Sequence, residues 1–237
     1  MSPMISIRLE DIAQLRYALY RFLAASFLAP EEERLEQLDE AAGILEAYGA
    51  FLQHFAFYGP WRRWVGQVRR LRLAPHEREV AYTELLQVVP LQASRYLDPE
   101  GWGQGRVLLE LERAYREAGL RPSSEHLLPP DHLVVELEFM AFLCYQESRA
   151  WAESGPISRL LSFERRFLIR HLRRWIPPLA CKARAELGAN LYRAAVEAVE
   201  AYIFHDGDWV TLVASLDPSR GMKLDHELKG ERSPVAQ

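Results

Sequence analysis

Apolar residues recur at spacings of three and four from near the start of the chain. Ile12, Leu15, Leu19, Phe22, Leu23 and Phe27 fall on one stripe, the period of an amphipathic helix. Pro30 marks the exit from this first helix. A second starts in the acidic turn Glu31-Glu32-Glu33, where carboxylates face the positive end of the helix dipole, and runs toward Phe57 until Gly59-Pro60 stops it. An arginine-rich helix follows over Trp61 to Leu73 and another over His76 to Val89. The next, marked by Leu108, Leu111, Tyr115 and Ala118, is capped by Gly119. Longer helices are predicted over Asp131 to Glu153, Ile157 to Trp175 and Leu179 to His205, broken at Gly155-Pro156 and Pro177-Pro178. The last carries Leu187, Leu191, Ala195, Ala198 and Tyr202 on one face. No alternating strand pattern and no βαβ order competes, so the expected architecture is all-α, a single-domain helical bundle of about nine helices.

Between the helices lie two irregular stretches. Pro90 to Gly105 contains the turn signal Asp98-Pro99-Glu100-Gly101, and Leu120 to Pro130 holds Pro122, Pro129 and Pro130, too many prolines for a helix. A proline-rich hinge loop is expected over about 119–131. From Asp206 onward charge, Gly and Pro increase, so the expected division is a helical domain over 1–206 and a C-terminal tail, partly disordered, over 207–237.

Composition narrows the function classes. The 237 residues are 49% hydrophobic and 26% charged, ordinary for a globular chain that holds a core without disulfides or metal. A net charge of -4 gives no overall footprint for nucleic acid. The basic residues are almost all arginine, with lysine only at 182, 223 and 229. Cys144 and Cys181 lack CxxC or Cys/His spacing and read as reduced core thiols, with no structural zinc site. The start lacks the pattern of a secretory signal. The longest apolar run, Phe139 to Tyr145, is seven residues, far below the roughly 20 needed to cross a bilayer. A soluble, cytoplasmic protein without membrane insertion is expected.

Candidate chemistry is sparse. His132 and Glu136 stand four apart near the start of a predicted helix and share a face, with Asp131 at the expected cap. As metal ligands they are only a pair, where three or four are the rule; the competing reading is a capping aspartate beside a histidine that hydrogen-bonds within the loop. Glu136, Glu138 and Glu147 read as a solvated face or partners of arginines such as Arg149 rather than as acids or bases. His205-Asp206-Gly207-Asp208 has half of a calcium loop's ligands without the rest of the spacing, and reads as a helix C-terminal turn. GxxxxGK[ST], GxGxxG after a strand, GxSxG and HExxH are all missing. No catalytic residue, metal or cofactor is expected. The tryptophans 61, 64, 102, 151, 175 and 209 belong to a core or to a peptide-binding groove.

The segment Pro129 to Cys144, PPDHLVVELEFMAFLC, resembles the signature of the TorD/DmsD/NarJ family of molybdoenzyme maturation chaperones, with Pro129, Asp131, His132, Glu136 and Leu137 in register. Glu125 stands where that family often has an acidic residue ahead of the proline, at a longer spacing. Tyr82-Thr83-Glu84-Leu85-Leu86 is similar to a second family pattern, with Leu86 in place of the usual Phe, and PLQASRYLDPEG brings Pro90, Ser94 and Tyr96 into register. The resemblance covers roughly Leu15 to Asp206 and is nearer the TorD/DmsD branch than the nitrate-reductase branch.

It implies a cytoplasmic chaperone, not an enzyme, that binds the apo catalytic subunit of a molybdopterin oxidoreductase through its twin-arginine signal peptide. Export would wait on cofactor insertion and folding. The implied client-binding residues are Tyr82, Leu85, Leu86, Pro90, Ser94, Tyr96, Pro129, Asp131, His132 and Glu136. Asp131, with Glu136, would attract the peptide's arginines, and His132 would orient Asp131 or meet peptide backbone. The alternatives are a small metal-dependent helical hydrolase built on His132 and Glu136, and a helical accessory subunit of a respiratory complex. A proline-rich hinge permits either a monomer or a domain-swapped dimer.

Overall fold

Helices form where the apolar stripes lie, and the stripes are buried against one another in a computed structural model that describes residues 8–72, 74–98, 100–101, 104–120 and 128–216. The expected Glu125 and Trp102, most of the hinge loop and residues 217–237 lie outside them. The elements are α1 (Leu9–Ala25), α2 (Glu32–Ala47), α3 (Gly49–Leu52), α4 (Tyr58–Arg72), α5 (Pro75–Val88), α6 (Ser94–Leu97), α7 (Gln104–Glu117), α8 (Leu133–Ala152), α9 (Ile157–Phe167), α10 (Arg173–Glu186) and α11 (Leu191–Ser215). A π-helical turn, Leu168–Leu172, joins α9 to α10. The fold is all-α as expected, without strands among the described residues; an isolated antiparallel bridge links Gln92 to His132.

α1 lies along α8, and α11 touches α4, α5, α9 and α10. α11 is buried along Val199, Tyr202, Ile203, Val210 and Val213. The aromatic centre is Phe22 of α1 against Trp61 and Trp64 of α4, ring centroids 5.1 and 4.3 Å away, with Phe57 on Tyr202 at 5.2 Å. Trp61, Trp64 and Trp175 are core residues. Among the described residues no helix is long and apolar enough to cross a membrane.

Several boundaries follow the sequence. Gly119 ends α7 at φ 84°, with the Leu120 N–H bonded to the Tyr115 carbonyl and the Gly119 N–H to that of Arg116, the paired bonds of a Schellman cap. Others differ. The expected helix from Glu31 to Phe57 ends at Ala47, and the chain turns through α3 so that Leu52 and Phe57 reach the core. Gly59 and Pro60 do not stop a helix but open α4, where a missing N–H costs nothing because first-turn amides have no intrahelical acceptor.

Pro177 and Pro178, expected as a break, lie inside α10. Burial overrides local propensity there: Trp175, Ile176, Leu179, Ala180 and Ala183 form the inward face, and the real break falls at 187–190, where Asn190 caps α11 by accepting from the Arg193 N–H at 3.0 Å. The inward stripe leaves Cys181 exposed, so only Cys144 is the buried thiol expected of both.

α11 also runs through the expected boundary at Asp206, so His205 to Asp208 is mid-helix rather than a C-terminal turn. Gly207 leaves room for the Arg173 guanidinium, since a Cβ there would lie 2.5 Å from its Nη2. That guanidinium rests on the helix, donating to the Phe204 carbonyl and to Asp208.

Candidate functional site

Two loops distant in sequence are knitted together ahead of α8. The Asp131 carbonyl accepts from the Ala93 N–H at 2.9 Å, its carboxylate Oδ2 accepts from the Ser94 N–H at 3.1 Å, and the Leu91 carbonyl accepts from the Leu133 N–H at 2.8 Å. With the Gln92–His132 bridge these bonds form a clasp in which Asp131 is 2% and His132 7% exposed. Such burial is tolerated because the polar atoms are matched. The α8 N-cap is His132, not Asp131: its Nδ1 accepts from the Val134 N–H at 3.2 Å. That bond needs a neutral ring with an unprotonated Nδ1, and burial lowers the His132 pKa in the same sense.

Below the clasp, side chains from α6, α7 and α10 hold both loops. The Tyr96 hydroxyl donates to the Pro90 carbonyl at 2.8 Å, and the Tyr115 hydroxyl donates to the Pro130 carbonyl at 2.7 Å. The Tyr96 ring lies against Trp175, centroids 5.9 Å apart at 29°. Trp175 Nε1 donates to Glu136 Oε2 at 2.9 Å, and His171 Nε2 is 3.0 Å from Oε1. Burial raises the Glu136 carboxyl pKa, against the two ring nitrogens, which favour the carboxylate.

Phe167, His171, Trp175, Leu179 and Ala183 are all buried and repeat every four residues. From Phe167 to Ala183 is 16 steps along the chain, whereas four turns of regular α-helix take only about 14.4. The wider turn at Leu168–Leu172 absorbs most of the drift and keeps His171 and Trp175 on one face.

Of the expected client-binding residues, the clasp brings together Pro90, Ser94, Tyr96, Pro129, Asp131, His132 and Glu136; Pro129 is exposed, and its carbonyl accepts from the His132 N–H at 3.0 Å. On α5, Leu85 is core at 0% exposure, Leu86 is 54% exposed, and half-buried Tyr82 meets Tyr192 of α11 at 5.6 Å. The sequence reading omits Tyr115, His171 and the part Trp175 plays.

It also omits a buried ion cluster. Arg16 of α1 donates to Glu147 of α8, to Glu164 of α9 at 2.5 Å and to Asp206 of α11 at 2.6 and 3.1 Å. Tyr20 donates to Asp206 at 2.6 Å and Trp151 to Glu147 at 3.0 Å. Desolvation, with the neighbouring carboxylates adding to it, pushes Glu164 up to about 8 and raises Glu147. Glu147 is therefore no solvated acid. Cys144, Glu147 and Glu164 are the one trio of potential metal ligands found among the described residues, with ligand atoms within 4.8 Å of one another. Arg16 already stands on both carboxylates as their counter-ion, so the arrangement is that of an ion pair network. His132 and Glu136 meet no third ligand among the described residues.

A family model described as nitrate reductase delta subunit matches residues 61–180, just over half of the chain. The selenate reductase assembly chaperone of Thauera selenatis is 36% identical over 104 residues, 42% of this chain and 53% of that protein. The chlorate reductase assembly chaperone of Ideonella dechloratans is 39% identical over 75 residues, 32% and 39% of the two chains. The chaperone protein TorD of Vibrio cholerae is 27% identical over 114 residues, 48% and 51%. The chain thus spans about half or less of the length of these relatives. No solved structure matches it at a comparable level.

Proposed function

Because the chain belongs to the nitrate reductase delta subunit family, we propose that it is an assembly chaperone for a molybdopterin-dependent oxidoreductase. In this reading it holds the apo catalytic subunit in the cytoplasm, through its twin-arginine signal peptide, until cofactor insertion and folding are complete. The observation that carries the reading is the clasp. Both of its loops and their supports fall within residues 61–180. The clasp builds a shaped surface rather than a reactive group, since Asp131, His132 and Glu136 commit polar atoms to the protein's own backbone and side chains. The relatives are likewise named for serving the assembly of other proteins.

A signal peptide offers a basic stretch and an apolar stretch, and its receptor needs apolar contact area beside hydrogen-bond acceptors. Tyr82, Leu86, Tyr96 and Pro129 supply the contact area, Leu85 backs it from the core, and Pro90 and Ser94 shape the loop. Asp131, His132 and Glu136 set the register of the two loops. The protein acts by binding, without turnover.

The test is calorimetry and co-purification of the full chain with an apo catalytic subunit that carries or lacks its signal peptide. Binding that requires the signal and is lost on cofactor loading supports the reading. Equal, permanent association with the mature enzyme overturns it in favour of an accessory subunit.

A further inference from the structure

We propose that Trp175 and His171 are positioning residues for client binding: from α10 and the π-helical turn they fix both halves of the clasp at once, so client affinity depends on them although neither needs to touch the client. The inference rests on the clasp being the client-binding surface.

Trp175 meets both halves. Its ring lies against Tyr96, whose hydroxyl is bonded to Pro90, and so supports the Pro90–Leu97 loop. Its Nε1 donates to Glu136, one turn into α8 from the His132 cap, and so supports the Asp131–His132 side. His171 Nε2 lies 3.0 Å from the other oxygen of that carboxylate, within ion-pair distance but without the alignment of a hydrogen bond. A carboxylate at 0% exposure is stable in one position only while its donors stay in place. The charged and titratable groups acting on it are Asp131 from the clasp, Tyr115 from α7 and His171 itself. The Glu136 carboxyl is near enough to Asp131 for their charges to interact, so a shift of the first carboxylate bears on the second and on the Ser94 bond that it accepts.

A second observation points the same way. The π-helical turn departs from ordinary helix geometry just where His171 is needed on the face of Trp175. Such turns concentrate at functional sites, being otherwise a cost to the helix.

The experiment compares His171→Gln, whose side-chain amide reproduces the Nε2–H donor, with His171→Leu and Trp175→Phe. Affinity for a twin-arginine peptide is measured by calorimetry on the full chain at a temperature where each variant is folded. Expected are a loss of about tenfold or more in His171→Leu and in Trp175→Phe, and affinity within about threefold of wild type in His171→Gln. A structural role alone would lower melting temperatures and leave the affinity of the folded protein unchanged; that outcome, or equal loss in both His171 variants, overturns the proposal. If His171→Leu does not fold, Trp175→Phe, which keeps the ring on Tyr96, decides by the same criterion.

The Ser94 amide resonance separates this inference from the function it rests on. If wild type binds no client yet that resonance moves in His171→Leu and not in His171→Gln, the functional reading fails and the coupling stands. An unmoved resonance overturns the coupling.

Discussion

Arg16 and Asp206, 190 residues apart, meet in a paired hydrogen bond of 2.6 and 3.1 Å, and neither is more than 3% exposed. Glu147 and Glu164 crowd the same guanidinium, so one cation from α1 answers carboxylates on α8, α9 and α11. Removing the cation leaves these buried acidic groups without a counter-ion, with hydrogen bonds from Tyr20 to Asp206 and from Trp151 to Glu147 remaining. Arg16→Met is expected to destabilise the fold by about 3–5 kcal/mol, read as a lower urea midpoint. A loss under 1 kcal/mol would mean the cluster is hydrated.

The same crowding sets a pH dependence. Burial pushes the Glu164 carboxyl up to about 8 in the folded chain, from its ordinary value of 4.5. Over that interval the folded state binds the extra proton, so stability falls as pH rises toward 8. His132 and His205, lowered by burial, act in the opposite sense, costing stability only as pH falls below 6.5. From pH 6.5 to 8.5 the urea midpoint is therefore expected to fall, and Glu164→Gln to flatten the decline. An equal slope in both proteins would contradict this assignment.

Neighbouring leucines on α5 separate contact from core. Leu85→Ala, at a fully buried position, is expected to cost about 2–5 kcal/mol. Leu86→Glu, at an exposed one, is expected to change stability by under about 0.5 kcal/mol and to weaken binding of the client peptide. Thermal melts with calorimetry measure both quantities on each variant.

Within the clasp, Asp131→Ala removes the acceptor of the Ser94 N–H and is expected to cost about 1–3 kcal/mol and to raise hydrogen exchange at Ser94. His132→Ala removes the α8 cap and is expected to cost about 0.5–2 kcal/mol. Unchanged exchange at Ser94 in Asp131→Ala would show that the backbone bonds alone close the clasp.

The helices and the Pro129 to Glu136 segment are legible in the sequence because apolar spacing and proline placement act locally. The supports of that segment are not, since Tyr115, His171 and Trp175 approach it only through packing. Pro177-Pro178 and Gly207 read as breaks because their local preferences are strong, yet burial of the flanking stripes outweighs them. The ion cluster did leave a trace. Arg16 sits on the stripe of Ala13, Leu19, Tyr20 and Leu23, and Glu164 and Asp206 interrupt the buried stripes of α9 and α11. A charge on an apolar stripe signals a buried partner, although periodicity does not say which.

That cluster also ties the protein's maturity to its own translation. Arg16 emerges from the ribosome 190 residues ahead of Asp206, so a chain truncated before α11 carries the arginine without one of its counter-ions. A prematurely terminated product is thus denied a finished core, and only chains synthesised through residue 206 complete the charge pairing that the native interior requires.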